Sequence, residues 1–144
     1  MKKYHLFFLF LPLFMASCKI GPQSIAYGTD GCHFCSMTIV DRQHAAQIVT
    51  DKGKVFKFDA VECMMNHLNI IGTEQIALFF VNDYSEPGKL MDATQALYLI
   101  SPGISSPMGE FLTAFGTREA IGRALAEHDG DQLNWEQLKL IFKL

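Results

Sequence analysis

The chain of 144 residues carries 12 basic and 15 acidic side chains, a net charge of −3 with neither sign gathered into a run. Without a basic patch or stripe it lacks the electrostatic footprint of a nucleic-acid partner. Apolar residues make up 49%, enough for a packed core, yet no apolar run approaches the roughly 20 residues of a membrane-spanning helix.

The N-terminus reads as an export signal. Lys2 and Lys3 precede an apolar run over residues 6–14 that only Pro12 interrupts, and Met15-Ala16-Ser17-Cys18 closes it with small residues before a cysteine. That order predicts a signal peptide over residues 1–17. The Ala-Ser-Cys close matches a bacterial lipobox, with Met15 where leucine is usual, so Cys18 is expected to be lipidated and to become the new N-terminus. Several acyl chains on one residue make a lasting anchor, each buried methylene adding roughly 0.8 kcal/mol. The expected mature chain starts at Cys18 and keeps 10 of the 12 basic residues against all 15 acidic ones. It is expected on the periplasmic side of a bacterial membrane, and Lys19 favours the outer membrane over the inner.

Residues 18–29 hold Gly21, Pro22 and Ser24 and little pattern, predicting a lipidated tether with a short strand near residues 25–27. Residues 30–144 then form the folded domain, beginning with a turn over residues 30–37. Strands are predicted at 45–50 and 55–58 around Asp51-Lys52-Gly53-Lys54, a hairpin signal. Asp59 is expected to cap a helix whose Val61, Met64, Met65, Leu68 and Ile71 share one face, with Gly72 as its stop. A second cycle resembles the first: a strand at 76–81, a polar turn at 82–88, and a strand at 89–92 in which Met91-Asp92-Ala93 repeats Phe58-Asp59-Ala60. A strand at 96–100 and a Pro/Gly loop at 101–109 follow. Residues 109–115 form a strand or a turn, and a helix over 117–128 is capped by Thr117 and ended by Gly130. Asn134 caps a last helix over 135–144. Strands and helices without a strict βαβ rhythm indicate an α+β fold.

The chemistry lies in the sulfur. With Cys18 lipidated, Cys32, Cys35 and Cys63 form an odd set in an oxidising compartment, so disulfides alone leave a thiol unpaired. Cys32-His33-Phe34-Cys35-Ser36-Met37 has the spacing of a zinc, redox or haem motif. Ser36 stands where haem attachment needs histidine, and no helix follows as a thioredoxin-like dithiol requires. Cys32, Cys35, Cys63 and a histidine would suffice for a closed zinc site. Met37 tilts the balance, because a thioether suits Cu(I) and serves zinc poorly. Cys63 and His67 lie four residues apart on the predicted helix and face one way, a second pair of metal donors. Met108, in Ser106-Pro107-Met108-Gly109, has little core to fill and is a third candidate. Asp59 and Asp92 read as caps rather than acid–base groups, and no catalytic signature such as a nucleophile elbow, phosphate loop or metalloprotease helix is present.

Taken in order, these pieces resemble the nitrous-oxide reductase accessory lipoprotein family, NosL: the lipobox; Cys32 to Ile39; Ala45-Ala46-Gln47-Ile48-Val49; Phe58 to Met64; Met91 to Ala96; Pro107-Met108-Gly109; Ala114-Phe115 and the helix beyond. The resemblance covers nearly all of the mature chain. It implies a monomeric Cu(I)-binding lipoprotein that passes copper to nitrous-oxide reductase during assembly of its copper centre. The implied partners are a membrane transporter and periplasmic assembly factors of the same system. It also implies two small ββα-type lobes similar to part of the organomercurial lyase fold. Ligands in the family are cysteine, methionine and histidine. Carried over, they suggest Cys63 and Met108, with Cys32, Cys35 and Met37 as the other candidate set. The family commonly has glycine where Ser36 stands. A carrier without turnover is thus expected, against two alternatives: a zinc-binding structural lipoprotein, and a thiol oxidoreductase or lyase-like enzyme.

Overall fold

Two antiparallel sheets, each centred on the first strand of its own hairpin, organise the computed structural model, which describes residues 20–144. The expected signal peptide, Cys18 and Lys19 lie outside the described residues. Strand β1 (Ala46–Thr50) pairs with β2 (Val55–Phe58) in the register Ala46↔Phe58 to Val49↔Val55. Gly53 takes φ +79° in the turn between them, where a side chain would be strained. Helix α1 (Val61–Ile71) follows, and Gly72 closes it at φ +78° with its N–H donating to the Leu68 carbonyl at 2.8 Å. Strand β3 (Ile76–Asn82) returns to the free edge of β1, and β4 (Leu90–Asp92) extends the sheet, giving the order β2-β1-β3-β4.

The second lobe repeats the plan. Strands β5 (Leu97–Ile100) and β6 (Leu112–Phe115) form a hairpin, α2 (Arg118–Glu127) crosses over, and β7 (Asp131–Leu133) pairs with the other edge of β5. Its order is β6-β5-β7, the same arrangement as β2-β1-β3. Helix α3 (Trp135–Ile141) follows. The fold is α+β with two small ββα-type lobes. The phase of the repeat differs from the expectation, because β3 and β4 complete the first sheet and no helix follows Asp92. Its Oδ1 accepts the Thr94 N–H at 2.8 Å and the Thr94 hydroxyl at 2.7 Å, closing a turn. A short acid before alanine satisfies a nearby N–H equally well in a turn or at a helix start, so the two settings share one sequence signature.

Four local expectations change. Asp59 does not cap α1: Ala60 is the N-cap residue, without a side-chain bond, and the Asp59 carboxylate accepts the Val40 N–H. Residues 25–27 form no strand. Within the stretch expected as a tether, Gln23 and Gln47 exchange two hydrogen bonds of 2.8 Å and Ile25 is buried, so the chain is docked on β1 from Gln23 onward. Helix α2 ends at Glu127, and Gly130 serves another need: a Cβ there would meet the Ile100 carbonyl oxygen at 2.5 Å, so only glycine lets β7 approach β5.

One core joins the lobes. Ile48, Phe58, Val61, Met64, Met65 and Leu68 from the first pack with Tyr98, Leu112, Ala114, Trp135 and Leu138 from the second. A smaller cluster of Leu99, Phe115, Ile121 and Ala124 lies beneath α2. Helix α1 sits between the sheets and touches β1, β2 and β6. No helix among the described residues is long and apolar enough to cross a membrane.

Asn134 opens α3 with a capping box. Its side chain accepts the Gln137 N–H and the Gln137 side chain accepts the Asn134 N–H, both at 2.9 Å. Asn134→Ala is expected to lower stability by about 1 kcal/mol, read as a lower urea midpoint at unchanged slope, and Asn134→Ser should restore most of it.

Candidate metal centre

The cysteine loop is a tight turn held between Gly31 and Thr38, which form an isolated bridge. The Cys32 N–H donates to the Met37 carbonyl at 2.7 Å and the Ser36 N–H to the Cys32 carbonyl at 3.0 Å. Ser36 pays for this geometry with a φ of +64°, a left-handed conformation that costs a residue with a Cβ roughly 1–2 kcal/mol. The loop is fastened to β2, where the His33 N–H donates to the Lys57 carbonyl at 2.9 Å. The Lys57 ammonium reaches Asp30 at 2.6 Å, on the other flank of the same turn. Strand β2 leads directly into α1, so these bonds carry the loop to the helix that holds Cys63.

There the three thiols meet. The sulfurs of Cys32, Cys35 and Cys63 all lie within 4.8 Å of one another, and each thiol is free. The Cys32/Cys35 motif and the helical Cys63 form one cluster. Cys32 and Cys63 are buried and Cys35 is half-buried, so the cluster opens to solvent on the Cys35 side. No histidine, aspartate or glutamate among the described residues joins the three sulfurs.

The thiols share protons unequally. The Cys63 thiol donates to Cys32 and the N–H groups of Cys35, Asp59 and Phe34 point at the same sulfur, holding Cys32 down to about 4 against the cost of burial. Cys63, as donor to that thiolate and buried, is pushed far upward. Burial raises Cys35 too, and the neighbouring thiolate adds to the effect. The cluster thus holds one negative charge and two protons, which a soft cation would displace on binding.

The remaining candidates differ in exposure. Met37 is 54% exposed on the outer side of the loop, and its N–H donates to the Cys35 sulfur. Met108 is half-buried and packs on the core cluster that contains Cys32 and Cys63. His67 stands outside the three-sulfur set. It packs among rings, perpendicular to His33 at 5.0 Å and near Phe58 at 5.4 Å and Phe56 at 5.7 Å. Burial and then the neighbouring His33 hold its pKa below the ordinary value, favouring the neutral ring. Glu62 has a role that its sequence position did not reveal. It is fully buried and accepts the Ser106 hydroxyl and, at 3.3 Å, the Leu112 N–H, while burial raises its pKa. Its only advance sign is its place between Val61 and Cys63 on a helix whose neighbouring positions are apolar.

Comparison with known proteins places this geometry in context. The NosL family profile matches residues 24–140. No curated protein matches the chain. Among solved structures, the crystal structure of the copper chaperone NosL from Shewanella denitrificans aligns with a TM-score of 0.73 at 19% identity, over 83% of this chain and 96% of that one. At that identity the two share a fold.

Two measurements probe the centre without metal. Ser36→Gly should raise stability by about 1 kcal/mol by removing the Cβ strain; a destabilised variant would show that the hydroxyl is needed instead. The thiolate absorbance of the reduced domain should persist well below the ordinary thiol value of 9.0 and fade near pH 4. Because the folded pKa of Cys32 is depressed, its contribution to stability is fully present above about 9 and lost as pH falls through about 4. Cys63 and Cys35, raised when folded, act in the opposite sense, and their contributions are lost as pH rises above 9.0. Loss of the thiolate signal already at neutral pH would contradict this proton distribution.

Proposed function

The chain belongs to the NosL family, and from there we propose that it is a copper chaperone: a Cu(I) carrier without turnover, anchored by lipid at Cys18 on the periplasmic side of the outer membrane, that delivers copper for assembly of the nitrous-oxide reductase copper centre. The observation that carries the reading is the gathering of three sulfurs, two buried and the third on half-buried Cys35, with Met37 exposed on the same loop.

Cu(I) favours soft thiolate and thioether donors. A structural zinc ion wants a closed set of four, and among the described residues no histidine nitrogen or carboxylate oxygen joins the three sulfurs to complete one. Cys35 is the natural entry point, since it offers a thiol to solvent while Cys32 and Cys63 lie beneath it. Met37 and Met108 supply thioethers that release more readily than thiolates. Such a site exchanges its ion one ligand at a time, which a carrier needs and a closed cage resists. The partners are a membrane transporter that supplies the ion and the periplasmic factors of the reductase, met by a monomer. The acidic excess of the chain suits docking to a complementary basic face.

The test is a competition titration of the reduced chain from Lys19 onward with Cu(I) and Zn(II) against chelators. Tight, stoichiometric Cu(I) binding is expected. Cys35→Ser, Cys63→Ser and Met108→Ala should each weaken it by more than tenfold, since loss of even an outer-shell partner costs about 10–100-fold. Preference for zinc, or unchanged copper affinity in every cysteine variant, would sink the assignment. Loss of transfer to apo nitrous-oxide reductase with Cu(I) binding intact would overturn the recipient alone.

A further inference from the structure

Cys63 closes the thiol cluster, while the residue before it reaches into the other lobe. The Glu62 Oε1 accepts the Ser106 hydroxyl and, at 3.3 Å, the Leu112 N–H. The Ser106 Oγ in turn accepts the Phe111 N–H at 3.0 Å, and the Gly109 N–H donates to the Ser106 carbonyl at 3.0 Å. Both flanks of one short loop, Ser106 on one side and Phe111-Leu112 on the other, are thereby gathered onto a single buried carboxyl oxygen. Met108 lies between them in the chain and packs, half-buried, on the core that the two lobes share.

The arrangement carries two costs. The second carboxyl oxygen, Oε2, is buried without a partner, and Phe111 is held at φ +62°, strained for a residue with a Cβ. An apolar side chain at position 62 would cover the core without stranding Oε2, so the bonds to the loop are what the carboxyl contributes. Ser106 is itself buried, which keeps water from competing for those bonds.

We propose that Glu62 is a positioning residue that latches the loop of residues 106–112, through Ser106 and Leu112, and so presents the Met108 thioether to Cu(I) at the thiol cluster. The copper half rests on the function proposed above; the latch itself does not. Because Glu62 and Cys63 are consecutive on α1, one helix turn sets both the thiol and the thioether of the site.

The full chain labelled with [13C]methyl-methionine separates the two. Without metal, the Met108 methyl signal should sit away from the free-methionine position and collapse toward it in Glu62→Ala and in Ser106→Ala. The Met64 and Met65 signals should stay put as a check on folding. Glu62→Gln, which keeps an acceptor oxygen, should restore the Met108 signal. In Cu(I) competition, Glu62→Ala should weaken binding about tenfold when Met108 is present and add nothing in a Met108→Ala background. A Met108 signal unmoved by both Glu62→Ala and Ser106→Ala overturns the latch. An equal loss of affinity with and without Met108 overturns its role in copper binding. If Glu62→Ala fails to fold, Ser106→Ala carries the same comparison. Wild-type chain that takes up no Cu(I) overturns the proposed function instead, and the methyl spectra still decide the latch.

Discussion

Burying α1 between two sheets constrains everything else in this molecule. Val61, Met64, Met65 and Leu68 are all fully buried, and covering each large apolar side chain contributes about 1.5–3 kcal/mol. Neither sheet covers the helix alone, since α1 touches β1 and β2 on one side and β6 on the other. The rotation of the helix about its axis is therefore settled by core packing. Polar and reactive residues on the same turns go where that rotation sends them: Cys63 to the thiol cluster, Glu62 to the second lobe, His67 among the rings of His33, Phe56 and Phe58. Function is written into a helix whose orientation is decided by its apolar neighbours.

Much of this was readable from the sequence, for reasons particular to each element. The β1–β2 hairpin announces itself through two strand-like runs around the Asp51-Lys52-Gly53-Lys54 turn, and α1, α2 and α3 through apolar spacing with Thr117 and Asn134 as caps. Strand β7 has no signature in the sequence, because its three residues are largely exposed and its identity rests on backbone bonds to β5. In the sequence the second repeat reads one hairpin too early, because Asp92 closes a turn with the kind of bond that starts a helix. At the site, the sequence marks each cysteine as a candidate donor and allows their union only as one option, a closed zinc site. The union depends on the bond from the His33 N–H to the Lys57 carbonyl, a contact between segments with no mark of it in either. The same holds for Glu62 and Ser106, which are 44 residues apart.

The electrostatics of the centre are unusual for so small a volume. A thiolate at Cys32 lies beside Asp59, whose Oδ1 is buried without a partner and whose pKa is raised by burial and then by the Cys32 charge. Glu62, on the far side of Cys63, is likewise buried with one oxygen unsatisfied. Neither carboxyl has an ion-pair partner among the described residues, where Asp41, Asp30, Glu86 and Glu136 do. Burial favours the protonated form of both carboxyls, so the charge that an incoming cation meets is the Cys32 thiolate. The backbone N–H groups around Cys32 make that charge tolerable in the absence of an ion.

The docking of Gln23 on Gln47 has a consequence for how far the domain can travel. The packed part of the chain begins there, five residue steps on from Cys18 with only four residues between. Fully extended, such a segment reaches at most about 18 Å, less than the width of the domain it would hold. With the lipid on Cys18 as proposed, this is a leash too short for wandering: the domain stays within one protein diameter of the headgroups. Its search for donors and recipients becomes a search in a plane rather than a volume, at an effective concentration set by the thickness of that layer.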